Sequence, residues 1–160
     1  MTNNKCPKDF FWGTATSSYQ IEGAPDADGK GLSVWDTFSH KKNTIKNGDT
    51  GDVACDHYHL WTKDLDLLEN LGVNSYRFSI SWPRILPTGK ENEPNQAGLD
   101  FYSRLVDNLL ERGITPFLTL NHWDIPQGLE NEGGWTERMM VDAFVKYSYH
   151  TSKHLSLIHI

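Results

Sequence analysis

The sequence predicts an α/β protein that opens a (β/α)8 TIM barrel, with about the first three βα units present. Three observations predict it. Apolar strand-like runs alternate with amphipathic helices, a glycine closes each of the first two helices, and polar and aromatic residues gather where the strands end. A strand, helix, strand order that repeats along the chain demands a parallel sheet with crossover connections.

Asp9 to Thr16 reads as a short buried strand, followed by Ser17-Ser18-Tyr19-Gln20 and a loop from Gly23 to Gly51 rich in Gly, Pro and Asp. A loop of that length is functional or decorates a large scaffold. From about Asp56 to Leu71, Trp61, Leu65 and Leu68 recur at i, i+4 and i+7, the stripe of an amphipathic helix. Gly72 stands where a left-handed cap belongs. Ser75 to Ser81 is the next strand. Tyr102, Leu105, Val106 and Leu109 then mark a second helix, Gly113 ends it, and Ile114 to Leu120 is the third strand. Met140, Ala143, Phe144 and Tyr147 share one face of a third helix.

A doubly wound sheet is the competing architecture, and it usually brings a Gly-rich phosphate turn after its first strand. None occurs: Asp28-Gly29-Lys30-Gly31 has no strand before it and reads as turn chemistry. The barrel is favoured because Gln20 and Glu22, then Trp82, then His122 and Trp123 follow the three strands, and such ends converge on one mouth.

The 160 residues are 38% hydrophobic and 22% charged, the composition of a globular protein. With a net charge of −6 and its basic residues scattered among acids, the chain is a poor partner for nucleic acid and suits a small neutral or polar ligand. Two cysteines, Cys6 and Cys55, offer no disulfide framework, and Met1 to Lys5 is polar with no apolar run behind it. No segment approaches the roughly 20 apolar residues of a membrane span. The expectation is a cytoplasmic protein.

The chemistry concentrates in Thr119-Leu120-Asn121-His122-Trp123-Asp124-Ile125-Pro126-Gln127. A pyranose offers an apolar C–H face for an indole and a rim of hydroxyls for imidazole and amide groups. His122, with Trp123 beside it, should point into the mouth, the alternative being a satisfied structural histidine; Gln20 could grip two adjacent hydroxyls, although a lone glutamine is more often loop decoration. Arg77, mid-strand between Tyr76 and Phe78, should meet a carboxylate, because a buried guanidinium cannot stay unpaired. That partner is equally a structural acid or a catalytic one. Trp82 and Trp12 are candidate stacking platforms, although a strand tryptophan is more often core. His57 and His59 face different sides of a helix and lack a third ligand, so no metal is expected. G-x-S-x-G is missing, which removes a serine hydrolase. Asp124 or Glu22 could serve another barrel enzyme, yet neither has a second carboxylate flanking it.

Taken together, residues Phe11 to Gly23, Val34-Trp35-Asp36, Gly51 to Tyr58, Tyr76 to Arg84 and Leu120 to Gln127 closely resemble glycoside hydrolase family 1, the β-glucosidase family. The likeness runs from about residue 7 to 154. It implies a barrel that hydrolyses β-linked sugars with retention, using one Glu as acid/base and another as nucleophile. By the same resemblance Gln20 and His122 hold hydroxyls of the non-reducing sugar, Trp123 lines that subsite, and Arg77 supports the nucleophile. No cofactor or metal is implied, and the partner is a small β-glycoside or oligosaccharide. The sequence around His122, Trp123 and Gln127 is nearer to the β-glucosidases than to the 6-phospho-β-glycosidases.

The family carries its acid/base in an Asn-Glu-Pro motif after the fourth strand and its nucleophile in Glu-Asn-Gly after the seventh. Neither is expected among these residues. Asn92-Glu93-Pro94 spells the first motif but follows a polar loop, and Glu132 matches a family loop. Leu155 to Ile160 departs from the family and reads as a non-native tail, leaving 1–154 as the barrel portion. The expected protein is a β-glucosidase by ancestry, inactive as this chain; the alternative is a catalytically dead carbohydrate-binding relative.

Overall fold

The computed structural model describes residues 6–155. Strands β1 (Gly13–Ala15), β2 (Ser75–Ser79) and β3 (Thr115–Thr119) form one parallel sheet in the order β1-β2-β3. Helices α1 (Ser18–Ile21), α2 (Val34–His40) and α3 (His57–Leu71) lie between β1 and β2, and α4 (Trp82–Ile85) and α5 (Gln96–Glu111) between β2 and β3. After β3 come α6 (Gln127–Glu130) and α7 (Met139–His154). The register sets Ala15 beside Arg77 and Arg77 beside Phe117.

The long crossover helices match their sequence stripes. Leu65 and Leu68 of α3, Leu105, Val106 and Leu109 of α5, and Met140, Ala143 and Tyr147 of α7 are all buried against Tyr76, Phe78 and Ile80. Gly72 and Gly113 both have φ +69°, the left-handed turn that ends each helix at no steric cost. Trp82 belongs to this core: it is fully buried and stacks on Tyr147 at 4.7 Å.

Two expectations need correction. The segment from Asp9 to Thr16 is mostly not buried and only Gly13–Ala15 is strand, with Phe10, Phe11 and Trp12 43%, 54% and 58% exposed. Helices cover one face of the sheet, and these aromatics border the other, where Phe11 meets Phe117 edge-on at 5.2 Å. Gly13 stands where any Cβ would collide with Ser75, which is why β1 can approach β2 there. The loop from Gly23 to Gly51 in turn contains α2, started by a reciprocal cap. Ser33 Oγ accepts from the Asp36 N–H (3.1 Å) while Asp36 Oδ2 accepts from the Ser33 N–H (2.7 Å).

Leu155 is buried at the end of α7, while residues 156–160 of the expected tail lie outside the described residues. Among the described residues no helix is long and apolar enough to cross a membrane.

The uncovered face with Phe11 and Phe117, flanked by the edge strands β1 and β3, is expected to make the 160-residue protein self-associate. Sedimentation velocity should show an average mass that rises with concentration, and Phe117→Lys should reduce it. A strictly monomeric protein over a wide concentration range would contradict this.

Candidate functional site

The C-terminal ends of the strands build one cleft. It has a volume of about 490 Å³ and is walled by Gln20 and Tyr19 of α1, Trp35 of α2, and His122 and Trp123 after β3. The three residues singled out in the sequence for sugar contact therefore meet in one place. Gln20 and Trp123 are exposed and His122 half-buried, with the His122 and Trp123 rings 5.6 Å apart. Trp123 is 71% exposed and has φ +71°, a backbone conformation that bulky side chains rarely adopt.

Local bonds hold these walls. The Val34 N–H donates to the Ile125 carbonyl (3.0 Å) and the Gln127 N–H to the Leu32 carbonyl (2.8 Å), so the start of α2 pairs with the chain after Trp123. That places Trp35 opposite the β3 loop. Trp35 stacks on Tyr19 at 6.0 Å, and the Tyr19 hydroxyl donates to Ser39 Oγ (2.9 Å). Tyr19 and Trp35 are wall residues that the sequence motifs did not single out. The signal available was the capping pattern Ser33-Val34-Trp35-Asp36, which starts a helix and points an indole from its first turn.

Of the two partners weighed for Arg77, a structural acid is not found among the described residues, and the catalytic one stays open. Arg77 is exposed, its Nε donates to Thr119 Oγ1 at 2.8 Å, and among the described residues no carboxylate meets it. Strand alternation is the reason: Tyr76 and Phe78 face the helices, so Arg77 faces the open side of the sheet with Phe117.

The buried ion pair lies instead between Arg84 and Glu22. Arg84 is fully buried, its Nε donates to Glu22 Oε2 (3.1 Å), and its guanidinium lies 4.0 Å from the Tyr58 ring centroid. Glu22 Oε1 accepts from the Tyr102 hydroxyl (2.6 Å), which itself accepts from the Ser81 N–H (2.7 Å). Beneath the cleft, Asp124 is 1% exposed and its Oδ2 accepts from the Ser18 hydroxyl at 2.5 Å. Burial pushes the Asp124 carboxyl up to about 6; the Ser18 bond opposes this and the Glu22 charge adds to it.

Neither Glu22 nor Asp124 faces the cleft, and among the described residues Asp49 is its only carboxylate. That removes the reading in which Glu22 or Asp124 does chemistry in an unrelated barrel. Glu93 is exposed in the loop before α5, as its polar flanks implied. His57 Nδ1 pairs with Asp64 (2.6 Å) and His59 Nδ1 with Asp56 (2.6 Å), and no cluster of three metal ligands occurs among the described residues.

Comparison with known proteins agrees with this architecture. A family model described as glycosyl hydrolase family 1 matches residues 2–156. Beta-glucosidase A of Thermotoga maritima is 60% identical over 148 residues, 92% of this chain and 33% of that protein. Beta-glucosidase A of Acetivibrio thermocellus is 58% identical over 142 residues, covering 89% and 32%. Among solved structures, the Thermotoga maritima β-glucosidase in complex with deoxynojirimycin superposes with a TM-score of 0.92 at 58% identity, over 94% of this chain and 34% of that one. The chain thus spans about a third of the length of the relatives it matches. Its three βα units are the N-terminal part of a TIM barrel, and the chain belongs to glycosyl hydrolase family 1.

Proposed function

We propose that these residues form the sugar-gripping part of a retaining β-glucosidase, a hydrolase of β-linked glucosides. The observation that carries this is the meeting of Gln20, His122 and Trp123 in one cleft. The amide and imidazole suit vicinal hydroxyls, and the exposed indole suits the apolar face of a pyranose. Arg77, on the open face of β2, would act on a nucleophile supplied from elsewhere in a complete barrel. The free, exposed thiols of Cys6 and Cys55 suit a cytoplasmic setting.

Retaining hydrolysis needs two carboxyl groups about 5 to 5.5 Å apart across the scissile bond. With Asp49 the only carboxylate on the cleft wall among the described residues, a polypeptide of these 160 residues is expected to show no turnover of an aryl β-glucoside. Joined to the remaining two thirds of the Thermotoga maritima enzyme, residues 1–154 should support turnover. In that chimera Gln20→Ala and His122→Ala should each lower kcat/KM by about 10- to 150-fold, or about 1.5 to 3 kcal/mol per hydroxyl bond strengthened in the transition state. Unchanged kcat/KM in both variants would refute the sugar-site reading. Turnover by the 160-residue protein that Glu93→Gln abolishes would refute the expected inactivity.

A further inference from the structure

A chain of buried serine and carboxylate groups runs beneath the cleft and joins the ends of all three strands. The Ser18 N–H donates to Ser79 Oγ (2.7 Å), the last residue of β2, and Ser79 Oγ donates to Ser18 Oγ (3.1 Å). Ser18 Oγ then donates to Asp124 Oδ2 (2.5 Å), and all three residues are at most 3% exposed. Ser18 opens α1, two residues before Gln20. Asp124 lies two residues after His122.

The turn between β3 and Asp124 is held at both ends. The Tyr147 hydroxyl donates to the Leu120 carbonyl (2.7 Å) on one side, and Asp124 is anchored by Ser18 on the other. Between these anchors Trp123 takes φ +71° while 71% exposed, so its own side-chain packing does not explain the conformation. Such a conformation costs about 1 to 3 kcal/mol and persists only where the surroundings impose it. Packing does not explain Asp124 either. Its carboxyl is buried, and among the described residues the Ser18 hydroxyl is the side-chain donor that meets it.

We propose that Asp124 is a positioning residue: its bond from Ser18 locks the Gln20 arm of the cleft to the His122–Trp123 arm and holds the Trp123 indole in its left-handed setting. The geometry stands by itself, while the purpose given to it rests on the sugar-site reading.

The test uses the 160-residue protein labelled with 5-fluorotryptophan, in which six tryptophans report separately by fluorine NMR and Trp123→Phe identifies the Trp123 line. Ser18→Ala and Asp124→Ala are expected to move the Trp123 line towards the position of free 5-fluorotryptophan and leave that of core Trp82 in place. Asp124→Asn retains an oxygen for the Ser18 hydroxyl and should keep the Trp123 line close to that of the parent. A Trp123 line that ignores Ser18→Ala, or one that moves only together with Trp82, overturns the proposal; Ser18→Ala decides it even if Asp124→Ala does not fold. In the chimeric barrel the same Ser18→Ala should raise KM for an aryl β-glucoside several-fold more than it lowers kcat. The fluorine readout needs no sugar, so the two readings fail separately. If Trp123 follows Ser18 and Asp124 while Gln20→Ala and His122→Ala leave kcat/KM unchanged, the sugar site falls and the lock stands.

Discussion

Arg84→Met is expected to destabilise the protein by about 3 to 5 kcal/mol, the usual cost of leaving one member of a buried ion pair without its partner. Glu22 is 4% exposed, and without Arg84 only the Tyr102 hydroxyl would answer its charge. Loss of the guanidinium also uncovers the Tyr58 face it lies against at 4.0 Å. A domain's whole stability is about 5 to 15 kcal/mol, so this one substitution approaches the margin. Urea unfolding followed by circular dichroism measures it. The double variant Arg84→Met, Glu22→Leu should recover part of the loss, because removing both charges removes the unpaired one. An Arg84→Met protein within about 1 kcal/mol of the parent would show that water or a rearranged side chain reaches Glu22.

The second large effect is a pH dependence centred on Asp124. Its folded value of about 6 lies above its ordinary 3.8, so the folded state binds this proton more tightly than the unfolded chain does. The stabilising contribution is therefore complete below about pH 4, declines as pH rises, and is lost above about pH 6, a change of about 3 kcal/mol over the two pH units. Asp124→Asn removes the titration and retains the acceptor for Ser18. The stability difference between parent and Asp124→Asn should accordingly swing by about 2.4 kcal/mol in favour of the variant between pH 4 and pH 7. Comparing the two proteins cancels other carboxylates, and urea midpoints at four pH values suffice. A difference that does not vary with pH would mean that Asp124 is better solvated than its burial implies.

The long elements were legible because each carries its own local signal. In α3 and α5 the apolar stripe runs for several turns and a left-handed glycine ends it, so neither depends on what packs against it. His122 and Trp123 were legible for a related reason, as the residues following an apolar strand of a barrel. What failed depended on tertiary context. The short strand β1 has too few residues to show which side is covered, and α2 begins with a cap inside a Gly-rich stretch that otherwise reads as loop. The rule that a buried guanidinium needs an anion applies among the described residues to Arg84, which the sequence did not single out. Arg77 follows the period of its strand onto the open face, whereas Arg84 lies in a one-turn helix too short to show a face, and its partner Glu22 is 62 residues away. Nothing local to either residue announces that pair. The Ser18–Asp124 bond, 106 residues apart in sequence, was hidden for the same reason.

The sheet order β1-β2-β3 is also the order of synthesis. After β1, a ribosome making this chain releases each strand next to a neighbour already translated, and the helix that covers each pair is made between them. Each further βα unit of a barrel started this way has an edge strand of its predecessor to pair with, so translation order and pairing order coincide along the polypeptide.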